Sequence, residues 1–131
     1  RRSCALAETL RDLYSAATIY CGHVGEDIAA YPEGTRAHGR GEWYAMQIEA
    51  TNNFEVSRPI SILCGGLDRQ IEHHLFPRLP PDRLREVAPE VRAVCAAHGV
   101  SYRTDTWGRT LRQALRHVRA LGLRDFARAM A

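Results

Sequence analysis

The sequence predicts an all-α fold without a complete transmembrane span, and three observations carry that expectation. Apolar residues recur at helical spacing in successive stretches, glycine and proline punctuate the gaps between them, and no run of 18 apolar residues occurs. The 131 residues suit a single domain, since 45% hydrophobic and 25% charged residues are ordinary for a globular chain. The net charge of +3 has an all-arginine basic side, with no lysine among the 18 basic residues. Cys4, Cys21, Cys64 and Cys95 show no C-x-x-C spacing and nothing resembles a secretory signal, so reduced thiols facing the cytosol are expected.

Taken in order, Leu6, Leu10, Leu13, Ala17 and Tyr20 fall on a helical period, and Gly22 stands where such a helix ends. His23 follows directly. Residues 25–41 are rich in Gly, Glu and turn formers, with Tyr31-Pro32-Glu33-Gly34 as a turn, and read as a connecting loop that exposes His38. Glu42 to Asn53 resumes helix and sets Trp43, Gln47 and Thr51 at i, i+4 and i+8 on one polar-tipped stripe, where a buried Trp or Gln needs a hydrogen-bond partner. Arg58-Pro59 opens the next helix, whose apolar face is Ile60, Ile62, Leu63 and Leu67. Gly65-Gly66 interrupts it. Each glycine costs roughly 1 kcal/mol inside a helix, so the pair indicates a bend or the close approach of another backbone.

Phe76-Pro77 ends the following short helix, and Pro80-Pro81 leads into a helix over 82–98 that Pro89 divides in two. Leu84, Val87, Val91, Val94 and Cys95 line one side of it, Gly99 stops it, and Val100 to Tyr102 is short and extended. The last helix, Trp107 to Met130, carries an apolar stripe of Leu111, Leu115, Val118 and Leu121 beside a basic one of Arg109, Arg112, Arg116 and Arg119. Such a helix is a solvated surface element, or a contact for anionic lipid headgroups or the phosphates of an acyl carrier. The lack of interleaved aromatics argues against a nucleic-acid arm.

The stretch richest in chemistry is Gln70-Ile71-Glu72-His73-His74-Leu75-Phe76-Pro77. On a helix Gln70 stands at i−3 from His73 and i−4 from His74, so a carboxamide and two imidazoles converge beside it. Imidazole suits iron, copper, zinc and nickel, and without a nearby Cys pair a structural zinc site is disfavoured. Glu72 is expected to face water, with a hydrogen bond to an imidazole as the minority reading. Of the other histidines, His38 and His98 read as loop and helix-end residues, and no second pair has this spacing.

The run from Gln70 to Pro77 resembles the third histidine box (H/Q-x-x-H-H) of the membrane fatty acid desaturases, in the branch whose first position is Gln. Trp43, Gln47, Thr51 and Asn53 before it are similar to the segment that precedes that box. Leu79-Pro80, Val87-Ala88-Pro89, Val91, Cys95 and His98-Gly99 are similar to the segment that follows. The likeness extends over residues 12–104, with 105–131 as a basic amphipathic helical tail, and the whole of 1–131 is read as a single C-terminal desaturase segment. The other two boxes, H-x-x-x-H and H-x-x-H-H, do not occur in these residues. The chain starts at Arg1 and its methionines are Met46 and Met130, so it reads as the C-terminal piece of a longer, membrane-integral desaturase, lying on the cytosolic side.

The resemblance implies O2-dependent introduction of a double bond into a fatty acyl chain at a di-iron centre. It makes His73 and His74 iron ligands and places Gln70 either on iron or on a bound water. His23, in the segment before the box, is then a further ligand, or else a histidine capping a helix end where the dipole favours it. Gln47 and its stripe would orient ligands, and Asn53 would approach the metal directly or through water. The implied partners are an acyl substrate (linked to CoA, a carrier protein or a lipid), an electron donor of ferredoxin or haem type, and the membrane. Readings from other classes are a non-catalytic metal-binding module and a basic helical interaction module.

Overall fold

The computed structural model describes residues 2–25 and 27–129. Its helices are α1 (Arg2–His23), α2 (Arg40–Glu49), α3 (Arg58–Leu63), α4 (Gln70–Leu75), α5 (Pro81–Ala97) and α6 (Trp107–Ala129), and a 3-10 turn, Leu67–Arg69, leads into α4. The all-α expectation holds for these elements. Met130, the expected end of the last helix, lies outside the described residues.

One short parallel pairing interrupts the helical pattern, between β1 (Asn53–Glu55) and β2 (Thr104–Thr106), with Asn53 opposite Thr104 and Phe54 opposite Asp105. The helix expected to reach Asn53 therefore ends four residues early. The Thr51 hydroxyl turns back to donate to the Gln47 carbonyl at 2.7 Å, and the chain then extends so that Phe54 is fully buried and stacks on Trp107, ring centroids 5.9 Å apart. Burial of one large aromatic outweighs the few tenths of a kcal/mol by which local helix propensities differ. The extended segment expected at 100–102 lies instead at 104–106.

Pro89 does not divide α5, which runs unbroken from Pro81 to Ala97. Proline deletes its own N–H and crowds one earlier carbonyl, and here Leu84, Ala88, Val91 and Cys95 press both halves of the helix onto one core. Gly99, at φ +67°, ends the helix, and the Val100 N–H reaches back to the Cys95 carbonyl at 2.9 Å. In α3 the buried residue is Ser61, with Cys64 buried just past the helix end, whereas Ile62 and Leu63, expected on the apolar face, are both 72% exposed.

Two apolar clusters flank the β pair. Ile48, Ile71, Val91 and Cys95 gather α2, α4 and α5, with Leu75 and Tyr102 against them. Cys21, Phe54 and Cys64 gather α1, β1 and the end of α3, with Trp107 and Leu111 of α6 alongside. Beyond these clusters α1 and α6 are lightly covered: Leu6, Leu10 and Leu13, and Leu115, Val118 and Leu121, are all exposed. Among the described residues no helix is long and apolar enough to cross a membrane.

Candidate metal centre

Gln70, His73 and His74 reach their positions through the turn in front of α4. Asp68, fully buried, accepts a hydrogen bond from the Ser61 hydroxyl at 2.6 Å and one from Arg85 at 2.8 Å, which ties α3 and α5 to that turn. Arg69 donates through both terminal nitrogens to the Glu55 carboxylate, each at 3.1 Å. This two-point ion pair holds the Glu55 carboxyl below the usual carboxylate range and fixes the turn against β1. None of these partners is suggested by sequence spacing.

Gln70, the first residue of α4, is buried and its amide N–H donates to His23 Nε2 at 3.0 Å. His23 is the last residue of α1, so the contact joins the two expected members of the site across 47 positions of chain. Gly22 makes it possible, because a Cβ there would stand 2.9 Å from Gln70 Cγ. Asn52 holds the same helix end, its backbone N–H bonding the Gly22 carbonyl at 3.0 Å and its side chain the Cys21 carbonyl at 3.4 Å.

His74 lies edge-on to His23, ring centroids 5.1 Å apart, and His73 lies edge-on to His74 at 6.1 Å. His74 Nδ1–H donates to Gln47 Oε1 at 3.0 Å, which fixes the ring and leaves Nε2 with a free lone pair. Burial, together with the neighbouring imidazoles, lowers the His23 and His74 pKa values below the ordinary histidine value. Both rings are therefore held neutral near pH 7, the form that binds a metal.

Of the expected set, then, His23, Gln70, His73 and His74 are brought together, and Gln47 reaches His74 as an orienting partner should. Trp43 does not join them: it is 45% exposed and packs edge-on against Tyr44. Asn53 is directed elsewhere, since its side chain is wholly engaged by α4 and Tyr102. Glu72, expected in water, is fully buried and accepts hydrogen bonds from Asn53 Nδ2 and the Tyr102 hydroxyl, both at 2.8 Å. The helix is pressed between α2, α5 and β1, so the side that the sequence leaves polar is covered. Sequence spacing does not single out Tyr102 as a partner of Glu72. The signal for it was a carboxylate flanked by Ile71 and His73, which needs donors once buried.

Imidazole is a donor that several transition metals accept, iron, copper, zinc and nickel among them. Among the described residues no three or more His, Cys, Asp and Glu side chains are gathered closely enough to hold a metal ion by themselves. His23, His73, His74 and Gln70 lie near one another without forming a complete ligand shell among the described residues.

A family model described as fatty acid desaturase matches residues 5–106, from the first turn of α1 through β2. The chain belongs to the fatty acid desaturase family. An NADPH-dependent stearoyl-CoA 9-desaturase of Mycobacterium tuberculosis is 33% identical over 103 residues, 78% of this chain and 24% of that protein. Fatty acid desaturase 3 of Bos taurus is 42% identical over 81 residues, 62% of this chain and 18% of that protein, and its Homo sapiens counterpart is 40% identical over the same length. The desaturase chain thus spans about a quarter or less of the relatives it matches. No solved structure matches it.

Proposed function

We propose that this desaturase segment supplies one face of a di-iron centre that introduces a double bond into a fatty acyl chain with O2. The observation that carries the reading is the convergence of His23, His73, His74 and Gln70, from two distant helices, in a chain of this family. His73 and His74 would be ligands, His23 a further ligand and Gln70 a ligand or the partner of a bound water. An iron pair held there would supply O2 activation for removing two hydrogens from adjacent methylenes.

The chain's own contribution is to hold His23 and His74 neutral and the His74 ring aimed. Gln47 fixes the His74 ring so that Nε2 faces away from α2, and desolvation keeps protons off His23 and His74. Gln70, through Gly22, keeps His23 within reach of the pair. The acyl substrate is proposed to be carried on CoA, a carrier protein or a lipid, the mycobacterial relative's name giving precedent for CoA. Reducing equivalents would come from a donor protein of ferredoxin or haem type.

The donor count sets the first test. Residues 1–131 contain neither an H-x-x-x-H nor an H-x-x-H-H sequence, so purified alone they should desaturate nothing and hold fewer than two irons per chain after anaerobic Fe(II) loading. Two irons per chain by elemental analysis would overturn this account of the site.

We also propose that residues 105–131 rest on the cytosolic membrane surface. Arg109, Arg112, Arg116 and Arg119 are exposed beside exposed Leu115 and Val118, which suits an anionic lipid surface. Each basic residue near such a surface contributes about 1 kcal/mol, screened over about 10 Å at 0.1 M salt. The chain should therefore bind phosphatidylserine vesicles at low salt, release as salt rises, and lose binding when the four arginines become glutamine. Equal binding to neutral vesicles would remove the electrostatic explanation.

A further inference from the structure

We propose that Tyr102 and Asn53 are positioning residues for the histidine-bearing helix, setting through Glu72 where α4 presents His73 and His74. Helix α4 has six residues, too few to define its own orientation, and no side-chain cap at its N-terminus. Its placement comes from outside. Asn53 Oδ1 accepts the Ile71 N–H at 2.9 Å, which serves as a cap delivered from β1. Asn53 Nδ2 donates to Glu72 Oε2 and to the Tyr102 hydroxyl oxygen, both at 2.8 Å, and that hydroxyl donates to Glu72 Oε1 at 2.8 Å.

Every polar atom of the Asn53 side chain is thereby engaged, and both Glu72 oxygens are held. Asn53 and Glu72 are completely buried. Burial and the adjacent carboxylate push the Tyr102 phenol pKa upward, so it remains a donor. The β pairing delivers both partners to one place: the Asn53 N–H bonds the Arg103 carbonyl at 3.0 Å, next to Tyr102 in the chain. Glu72 immediately precedes His73. A small rotation of α4 that broke these bonds would turn both imidazoles, and would pull His74 Nδ1 from Gln47.

A buried polar cluster also adds stability, so the test must separate aiming from general support. Tyr102→Phe removes one hydroxyl and two hydrogen bonds with almost no change in volume. In metal-free 1–131, nitrogen NMR of the imidazole rings reads the His74 tautomer, which the Gln47 contact holds as Nδ1–H, and hydrogen exchange reads the Ile71 amide. Tyr102→Phe and Glu72→Gln should each move His74 toward the Nε2–H tautomer and speed Ile71 exchange about tenfold, as expected for losing a bond or two of about 1 kcal/mol.

Val91→Ala, in the same apolar cluster but outside the polar one, should lower the melting temperature and leave both readouts unchanged. The Tyr102→Phe/Glu72→Gln double variant should move them little further than either single change, because the two residues act as one unit. Tyr102→Phe and Glu72→Gln proteins that melt lower yet keep the His74 tautomer and Ile71 protection would overturn the proposal. Its value to catalysis rests on His73 and His74 being ligands. The measurement does not, because it uses no metal, so a failed ligand assignment and a failed positioning role remain distinguishable.

Discussion

Gly66→Ala should cost about 3 kcal/mol of stability, a fall in melting temperature of roughly 10 °C for a chain this size. Gly66 has φ +78°, where any side chain is strained by about 1–2 kcal/mol. Its Cβ would also stand 2.6 Å from Pro81 Cβ and 2.9 Å from Pro81 Cα. Those atoms belong to a rigid ring and the backbone at the start of α5, so they cannot swing aside as a flexible side chain would. Overpacking of that kind adds about 1–3 kcal/mol. Gly65 is the internal control: its φ is +62°, but nothing lies within 4 Å of the added Cβ, so Gly65→Ala should cost only about 1–2 kcal/mol. Equal losses at the two positions in denaturant melts would show that contact with Pro81 is not the source. The larger loss reaches the site as well, since Gly66 leads directly into the turn that carries Asp68, Arg69 and the start of α4.

The Gly65-Gly66 pair was legible in the sequence as a bend or close approach because glycine's conformational freedom leaves a local mark, and both features are present. Helices announced by periodicity were equally legible, as were Gln70, His73 and His74, whose i−3 and i−4 spacing alone brings them to one face. What the sequence did not show are decisions made by distant contacts. Thr51 to Glu55 leaves the helix because Phe54 finds Trp107 more than fifty residues away. Glu72 looked solvated because nothing within a helical turn could satisfy it, and its donors come from positions 53 and 102. Pro89 looked like a break because proline's local cost is visible in a sequence, whereas the core that holds the helix together is not. The α1 stripe was read correctly as a helix, but periodicity says only that a face exists, and Leu6, Leu10 and Leu13 are exposed.

His73→Ala or His74→Ala, in a chain that carries these residues together with the other two histidine boxes, should lower product by more than about 100-fold, beyond the 10–100-fold typical of losing a mere orienting partner. Each removes an imidazole that no neighbour replaces. Gln70 is already engaged with His23, and among the described residues no group of three or more His, Cys, Asp and Glu side chains could hold a metal ion in their place. Gln47→Ala should fall between: it frees the His74 ring without deleting the donor, a loss of about 10–100-fold. His38→Ala should be near neutral, because that side chain is 93% exposed and pairs only with Glu42 of its own loop and helix start. His117→Ala, on α6, should be near neutral too. Product yield in a living host together with metal content of the purified chain checks the order, with His73 and His74 lowest, Gln47 intermediate, and His38 and His117 unchanged. Equal losses at all five positions would mean that the substitutions act through folding, and the assignment of His73 and His74 as ligands would then fall.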